Sequence, residues 1–237
     1  MINDILSALI SFAITLLVAF PLGGLLKKYP AVFYIIATAL VAAHLIYRFS
    51  GTYIPGMQVI IDPLQKGYLP SFLLAAVMFC GVFDESSPIR RKLQPIRAEL
   101  SILSFIFCAS HVIAFLPPYL PRFAQIINSH SALSVSLIIA IVLTVLYALL
   151  SLLSLRVFRF KMPYRTWKNI QRLAYVMVAL LFVHILLTVG SSALTGKTPD
   201  AKVAMVVYSI IVVAYSVLRI CKAVRDYKSK ALNTDKA

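Results

Sequence analysis

The sequence predicts an all-α integral membrane protein, a helical bundle of about seven transmembrane helices. Of its 237 residues, 61% are hydrophobic and only 13% are charged, about half the charged fraction of an ordinary soluble domain. Apolar runs long enough to cross a bilayer recur along the chain. These runs are continuous rather than alternating, and this pattern favours helices over the strands of a membrane barrel.

Seven apolar runs define the predicted spans. The first has no basic segment before it and no small-residue cleavage site after it, so we expect it to be a span and not a removable signal. The third run is short and the fifth is long, which indicates tilted helices at these two places. Residues 1–225 are predicted to form one transmembrane domain and residues 226–237 a cytoplasmic basic tail. The spans cover 5–26, 31–49, 68–83, 100–116, 132–157, 170–189 and 203–220.

The formal net charge of +15 arises from 23 basic and 8 acidic residues. The basic residues concentrate in alternate loops and in the tail, a pattern typical of cytoplasmic loops that face anionic lipid. This placement favours the lipid membrane as a partner and argues against nucleic acid. It predicts an N-terminus outside, a C-terminus in the cytoplasm and a multi-pass protein of the cell (inner, cytoplasmic) membrane. The loops on this side carry Lys27, Lys28, Arg90, Arg91, Lys92, Arg97, Arg156, Arg159, Lys161, Arg165, Lys168, Arg172, Lys222, Arg225, Lys228 and Lys230.

Three histidines lie inside apolar runs that share one predicted direction. His44 is in the second run, His111 in the fourth and His184 in the sixth. His111 lies six positions before Pro117, His184 six before Gly190, and His44 seven before Gly51. At 1.5 Å per residue these positions place all three rings roughly 9–10 Å inside the outer ends of their helices. An ionisable side chain at membrane depth indicates a functional site.

Neutral imidazole is an axial ligand of haem iron, and two rings on facing helices can hold one haem between them. The alternative for each of these histidines is a hydrogen bond between helices with no cofactor. His130, at the outer start of the fifth run, is predicted to be a solvated helix-start residue. The three cysteines all fall in apolar runs and are predicted to be small buried residues.

Two segments carry a resemblance to a known family. Residues 89–115, "IRRKLQPIRAELSILSFIFCASHVIAF", and residues 167–184, "WKNIQRLAYVMVALLFVH", resemble the ferric reductase-like transmembrane family. Within it they are most similar to the bacterial haem b subunit that partners periplasmic methionine sulfoxide reductase. The typical segment of that subunit is W-x-x-x-H-R-L-x-Y, with a second histidine thirteen positions after the first. The resemblance covers residues 65–220. The positions that fit are Trp167, Arg172, Leu173, Tyr175 and His184.

The resemblance implies that His111 and His184 bind the iron of a haem b at the outer side. Gln171 occupies the place of the inner histidine, and Arg97 or Ala98 stands at its partner position. The resemblance therefore implies one haem where the family often holds two, with quinone or FMN as a further cofactor. His44 has no counterpart in the family and is a candidate for an alternative ligand, a propionate partner or a quinone-binding group.

The leading hypothesis is a haem b membrane electron-transfer subunit. It would pass electrons from the quinone pool or a flavin donor to an extracytoplasmic reductase or redox protein, and would not be a self-contained enzyme. The alternative is a haem-free membrane permease or scaffold with structural or proton-relay histidines. Arg97, Glu99 and Arg172 near the inner face are interpreted as interfacial anchors, in preference to a quinone or flavin head-group site.

Overall fold

The computed structural model describes residues 2–52, 54, 56–159, 161–196 and 198–234. These residues form α-helices, two 3₁₀ turns and one π turn, and this described part of the chain contains no strand. The helices are α1 (Ile2–Ala19), α2 (Gly23–Lys28), α3 (Pro30–Ser50), α4 (Gln58–Gln65), α5 (Tyr68–Phe79), α6 (Pro88–Leu93), α7 (Arg97–Phe115), α8 (Phe123–Asn128), α9 (Ala132–Leu152), α10 (Arg156–Arg159), α11 (Tyr164–Gln171), α12 (Leu173–Ile185), α13 (Ser191–Thr195) and α14 (Pro199–Thr234).

Six helical runs of the described residues are long and apolar enough to cross a membrane. Their outward faces carry large exposed apolar side chains, among them Ile35, Val145 and Ile210. Such faces are stable in lipid and not in water. The chain is therefore an all-helical, multi-pass membrane protein. The six runs are Ile2–Ala19, Pro30–Ser50, Pro88–Phe115, Ala132–Leu152, Tyr164–Thr195 and Pro199–Lys228.

The third predicted span differs from a simple transmembrane helix. The run predicted at 68–83 is helical only over α5, whose 12 residues are about 18 Å long and do not cross a bilayer core of about 30 Å. α4 lies before it, and Lys66 and Gly67 form an elbow between the two helices. Gly67 has φ +76°, a conformation that favours glycine. The described residues therefore contain six full-length runs, with a shorter, two-part α4–α5 segment in the place of the third predicted span.

The sixth predicted span continues past its predicted end. The span was predicted to end at residue 189, and this bound is wrong because residues Leu186–Gly190 form a π turn that leads directly into α13. The helical run ends at Gly196, which has φ +68°. The last helix continues to Thr234, so residues 226–234 of the predicted tail are helical. Residues 235–237 and Lys197 lie outside the described residues.

The core of the bundle is organised around α5. One side of α5 packs Leu69 and Leu73 into a cluster with α1, α3 and α7. The opposite side places Leu74 and Met78 in a second cluster with α9, α12 and α14. The four-residue spacing on each side is that of a helix buried on two faces. The short helix therefore joins the two halves of the bundle.

Local signals explain where the site-bearing helices begin. Pro30 is at the first turn of α3, where the missing N–H of proline has no cost. The hydroxyl of Ser131 accepts from the backbone N–H of Ser134 and caps α9. α7 follows directly on the 3₁₀ turn Gln94–Ile96. These three helices carry His44, Ser136 and His111.

Candidate functional site

His111 of α7 faces the elbow between α4 and α5. Its Nδ1 lies 2.6 Å from the backbone carbonyl oxygen of Gln65. Because a carbonyl oxygen only accepts, Nδ1 must carry the proton and donate it, which leaves Nε2 unprotonated. The elbow approaches the ring closely, since a Cβ at Gly67 would lie 3.5 Å from Nδ1. The ring also packs against Phe115, with the ring centroids 5.0 Å apart.

His184 of α12 is oriented in the same way by α9. Its Nδ1 lies 3.0 Å from the hydroxyl oxygen of Ser136 and 3.2 Å from the carbonyl oxygen of the same residue. The carbonyl again favours the tautomer with the proton on Nδ1 and a free Nε2. Among the described residues, no hydrogen bond engages Nε2 of His111 or of His184.

An electrostatic interaction links His111 to His184 across the bundle. The expected depth match was counted from Gly190, but the helix continues through that residue, so the count does not measure the depth of His184. The electrostatic interaction between the two rings is what the structure offers in its place.

His44 of α3 has a different environment. Its residue is 3% exposed, and its Nδ1 lies 2.6 Å from the hydroxyl oxygen of Ser110. Its Nε2 is buried and has no hydrogen-bond partner among the described residues. The side chain of Gln65 also interacts with the His44 ring. Gln65 is thus shared, since its carbonyl orients His111 and its side chain reaches His44.

A cluster of charges next to the elbow was not predicted from the sequence. The ammonium nitrogen of Lys66 lies 2.9 Å from an oxygen of Asp4, 3.0 Å from Asp62 and 3.8 Å from Asp200. Its hydrogen bond to Asp4 joins α1 to the elbow, and its ion pair with Asp62 joins the elbow to α4. One carboxylate oxygen of Asp4 is buried without a hydrogen bond in the described chain. A signal for this cluster was present in the four-residue spacing of Asp62 and Lys66.

Aromatic side chains hold the same elbow against the last helix. The rings of Tyr68 and Tyr208 stack with centroids 5.7 Å apart. The Tyr208 hydroxyl donates to the backbone carbonyl of Lys66 at 3.3 Å. The elbow that orients His111 is therefore fixed by α1 through Asp4 and by α14 through Tyr208.

Gln171, at the opposite end of the bundle, makes contacts between helices. Its amide nitrogen lies 3.4 Å from the carbonyl oxygen of Leu150 and 3.5 Å from the hydroxyl of Ser154. Nearby, the indole N–H of Trp167 donates to the carbonyl of Leu153 at 3.1 Å. These bonds join α11 to the end of α9, so Gln171 has a structural role at the position where the resemblance places a ligand.

The remaining predicted residues have simpler surroundings. His130 is exposed and has φ 48°, which agrees with a solvated position before α9. Cys80 is buried and its thiol contacts the side-chain oxygen of Gln94 at 3.2 Å. Cys108 is partly buried, whereas Cys221 is exposed, so the prediction that all three cysteines are buried is wrong for Cys221. No group of three or more histidine, cysteine or acidic side chains suited to a metal ion occurs in the described ranges.

Two comparisons relate the sequence of this chain to known proteins. Residues 66–183 match the ferric reductase like transmembrane component. This ferric reductase like segment begins at the elbow, contains α5, α7 and α9, and ends one residue before His184. His111 lies inside the segment, and His44 lies outside it.

The chain is also similar over almost its whole length to an uncharacterized protein of Treponema pallidum (strain Nichols). The two are 30% identical over 229 residues, which cover 94% of this chain. The alignment covers 62% of the relative, so the chain spans less than two thirds of the length of this similar protein.

Proposed function

We propose that this protein is a haem b membrane electron-transfer subunit, with His111 and His184 as the two iron ligands. The observation that carries the proposal is the shared arrangement of the two rings. His111 donates its Nδ1 proton to the carbonyl of Gln65, Nδ1 of His184 faces the hydroxyl and the carbonyl oxygen of Ser136, and in the described chain Nε2 of both rings makes no hydrogen bond. This is the orientation that metal-ligating histidines adopt. A pair of neutral imidazoles on separate helices is a donor set that fits a b-type haem.

The chain's own residues orient and enclose the proposed ligands. Gln65 and Ser136 fix the tautomers, and Phe115 packs against the ring of His111. The elbow at Gly67 is held by Lys66 and Tyr208, which restricts movement of the carbonyl that orients His111. When bound, the haem supplies one-electron redox chemistry, and the protein tunes it through ligation and burial.

The direction of electron flow follows from the family resemblance. Electrons would come from the quinone pool or a flavin donor such as FMN, and would pass to an extracytoplasmic reductase or redox protein. The match of residues 66–183 to the ferric reductase like transmembrane component supports membrane electron transfer. The resemblance to the haem b subunit of periplasmic methionine sulfoxide reductase supports the partner, and the charge asymmetry of the loops supports the cell membrane.

The structure favours one haem over two. At the opposite end of the bundle, Gln171 binds α9 through Leu150 and Ser154. An amide is not a usual haem ligand, and this one already bonds α9. His44 is proposed to be a buried hydrogen-bonding residue between α3 and α7, since Ser110 contacts its Nδ1.

The test is the haem content of the purified full chain. A pyridine haemochrome spectrum should show b-type haem in the wild type. His111→Ala and His184→Ala should each abolish it, because each variant removes one of the two residues that would hold the haem. Gln171→Ala is the matched control and should retain the wild-type haem content.

The competing function is a haem-free permease or scaffold. It is favoured by one observation, that each membrane histidine already makes a hydrogen bond to another helix or to the elbow. Absence of b-type haem from membranes that contain the folded protein would establish this alternative. Loss of haem in His44→Ala, with His184→Ala unaffected, would move the ligand assignment to His44.

A further inference from the structure

A pocket opens at the end of the bundle opposite the histidine pair. It has a volume of about 480 Å³ and lies between α7, the junction of α11 and α12, and α14. Its charged lining is strongly unequal, with four cations and one carboxylate. These residues are Arg97, Lys168, Arg172, Arg219 and Asp226.

We call this pocket the inner pocket. Its four cations differ from other basic residues nearby because they form no ion pairs in the described chain. On α14, the ammonium of Lys222 donates to the carbonyl of Phe83 at 3.0 Å, and Arg225 lies 2.6 Å from a carboxylate oxygen of Asp84. The ion pairs of the described chain involve Lys66, Arg90, Lys222 and Arg225, and none of the cations of the inner pocket. Four positive charges gathered without ion pairs repel one another, so an anion would stabilise them.

The walls of the inner pocket match the boundary between lipid and water. Arg97 and Arg219 are half-buried, whereas Lys168 and Arg172 are exposed. Close by, Val176 and Val217 present exposed apolar side chains on α12 and α14. Charged groups thus sit next to a surface suited to acyl chains, as at the polar ends of transmembrane helices.

Both tyrosines of the inner pocket are already engaged. The guanidinium of Arg219 lies over the ring of Tyr175, 5.2 Å from its centroid. Tyr215 packs edge-on against Phe79 with centroids 5.7 Å apart. A flat aromatic cofactor needs an open ring face on which to stack, whereas a phosphate needs only the cations. The phosphate of a lipid is therefore favoured over the phosphate of a flavin nucleotide.

We propose that the inner pocket binds the phosphate headgroup of an anionic phospholipid, held by Arg97, Arg172 and Arg219. The planar guanidinium groups bind phosphate oxygens in pairs. Basic pockets between transmembrane helices on the cytoplasmic side bind such headgroups in other membrane proteins. The proposal does not depend on haem binding. It gives Arg97 and Arg172 a role in lipid binding in addition to the interfacial anchoring predicted from the sequence.

The test is lipid binding to the purified full chain, measured by native mass spectrometry after titration with dioleoyl phosphatidylglycerol. Dioleoyl phosphatidylcholine, FMN and inorganic phosphate are titrated in parallel. We expect phosphatidylglycerol to bind at least tenfold more tightly than phosphatidylcholine, which has the same acyl chains and no net charge. This comparison uses only the wild type and decides the proposal even where a variant does not fold.

A pair of double variants locates the site. Arg172→Gln with Arg219→Gln should lower the affinity for phosphatidylglycerol about thirtyfold, from the loss of two cations near an anionic lipid. Lys27→Gln with Arg91→Gln removes the same charge from the same end of the bundle but outside the pocket, and should change the affinity less than threefold. Equal losses in both double variants would overturn the proposal, as would equal binding of the two lipids. Tighter binding of FMN or phosphate than of phosphatidylglycerol would overturn the lipid as the source of the phosphate.

Discussion

The hydrogen-bond partners of the two proposed ligands differ from that of the third membrane histidine, His44. His111 donates to a carbonyl oxygen, which can only accept and therefore selects one tautomer, whereas Nδ1 of His184 has a carbonyl oxygen at 3.2 Å and a hydroxyl oxygen at 3.0 Å. His44 contacts the hydroxyl of Ser110, which donates or accepts according to the ring. The hydroxyl therefore does not select a tautomer of His44. Its Nε2 is buried and makes no hydrogen bond in the described chain.

The environment of His44 leads to a prediction for Ser110→Ala. Nδ1 of His44 would then lose its hydroxyl partner, next to an Nε2 that makes no hydrogen bond in the described chain, so we expect a loss of about 1–3 kcal/mol in the free energy of unfolding. The haem content per folded molecule should be unchanged. Thermal unfolding and a haemochrome spectrum of the same preparation measure the two effects. Ser86→Ala, at an exposed serine in a loop, is the control for the loss of a hydroxyl. Loss of haem without loss of stability would identify His44 as a ligand.

The two histidines proposed as ligands could be picked out from the sequence, but the groups that orient their rings could not. A histidine in an apolar run is visible as an anomaly, and the spacing of Trp167, Arg172 and His184 carried the family resemblance. The group that orients His111 is the carbonyl of Gln65, and a backbone carbonyl has no sequence identity. Its position depends on the elbow, which depends on contacts with residues far away in the chain.

At the level of elements, the elbow shows why the third predicted span is shorter than the others. A window over residues 68–83 is apolar enough to suggest a helix, but the residues before it contain Asp62, Lys66 and Gly67. Lys66 is held by Asp4, which is 62 positions earlier, and no local window contains both. The helices α3, α7 and α9 were predicted well because their signals are local, such as Pro30 and the cap at Ser131. Gly190 is the opposite case, since a usual helix breaker lies inside a π turn.

The charge cluster at the elbow predicts the effect of Lys66→Met. Three carboxylates would lose their shared cation, and one of them, Asp4, is 1% exposed. Breaking a buried pair is strongly destabilising, and because the Lys66 side chain is 33% exposed we expect a loss of about 2 kcal/mol at pH 8. The measurement is thermal unfolding of the purified chain. Lys27→Met, at an exposed lysine, is the control and should stay within about 0.5 kcal/mol of the wild type.

At the scale of the whole molecule, the membrane topology depends on whether the α4–α5 segment crosses the membrane. Six long helices alone would return the chain to the side where it began. The 8 residues of α4 and the 12 of α5 together have a length of about 30 Å, which matches the bilayer core. If this two-part segment crosses, every basic-rich loop lies on one side, as the positive-inside rule requires. If it does not cross, the basic loops are divided between both sides.

Cysteine labelling distinguishes these two topologies. The background is the chain in which Cys80, Cys108 and Cys221 are replaced by alanine, and single cysteines are then introduced by Thr52→Cys and Ser86→Cys. These positions lie before α4 and after α5. Because the segment crosses in the predicted topology, a membrane-impermeant maleimide added to intact cells should label position 52. It should label position 86 only after the membrane is opened.

A third position serves as the control for this experiment. Ser129→Cys lies before α9 and shares the outer side with position 52 in the predicted topology, so both should react in intact cells. Labelling of positions 52 and 86 together would show that α5 enters the membrane and returns. Arg90, Arg91 and Lys92 would then lie outside, where the positive-inside rule does not favour them. If position 52 is labelled in intact cells and position 86 is not, α4 and α5 together cross the membrane. Lys66 and the carbonyl that orients His111 then lie within the membrane, on the outer side of α5.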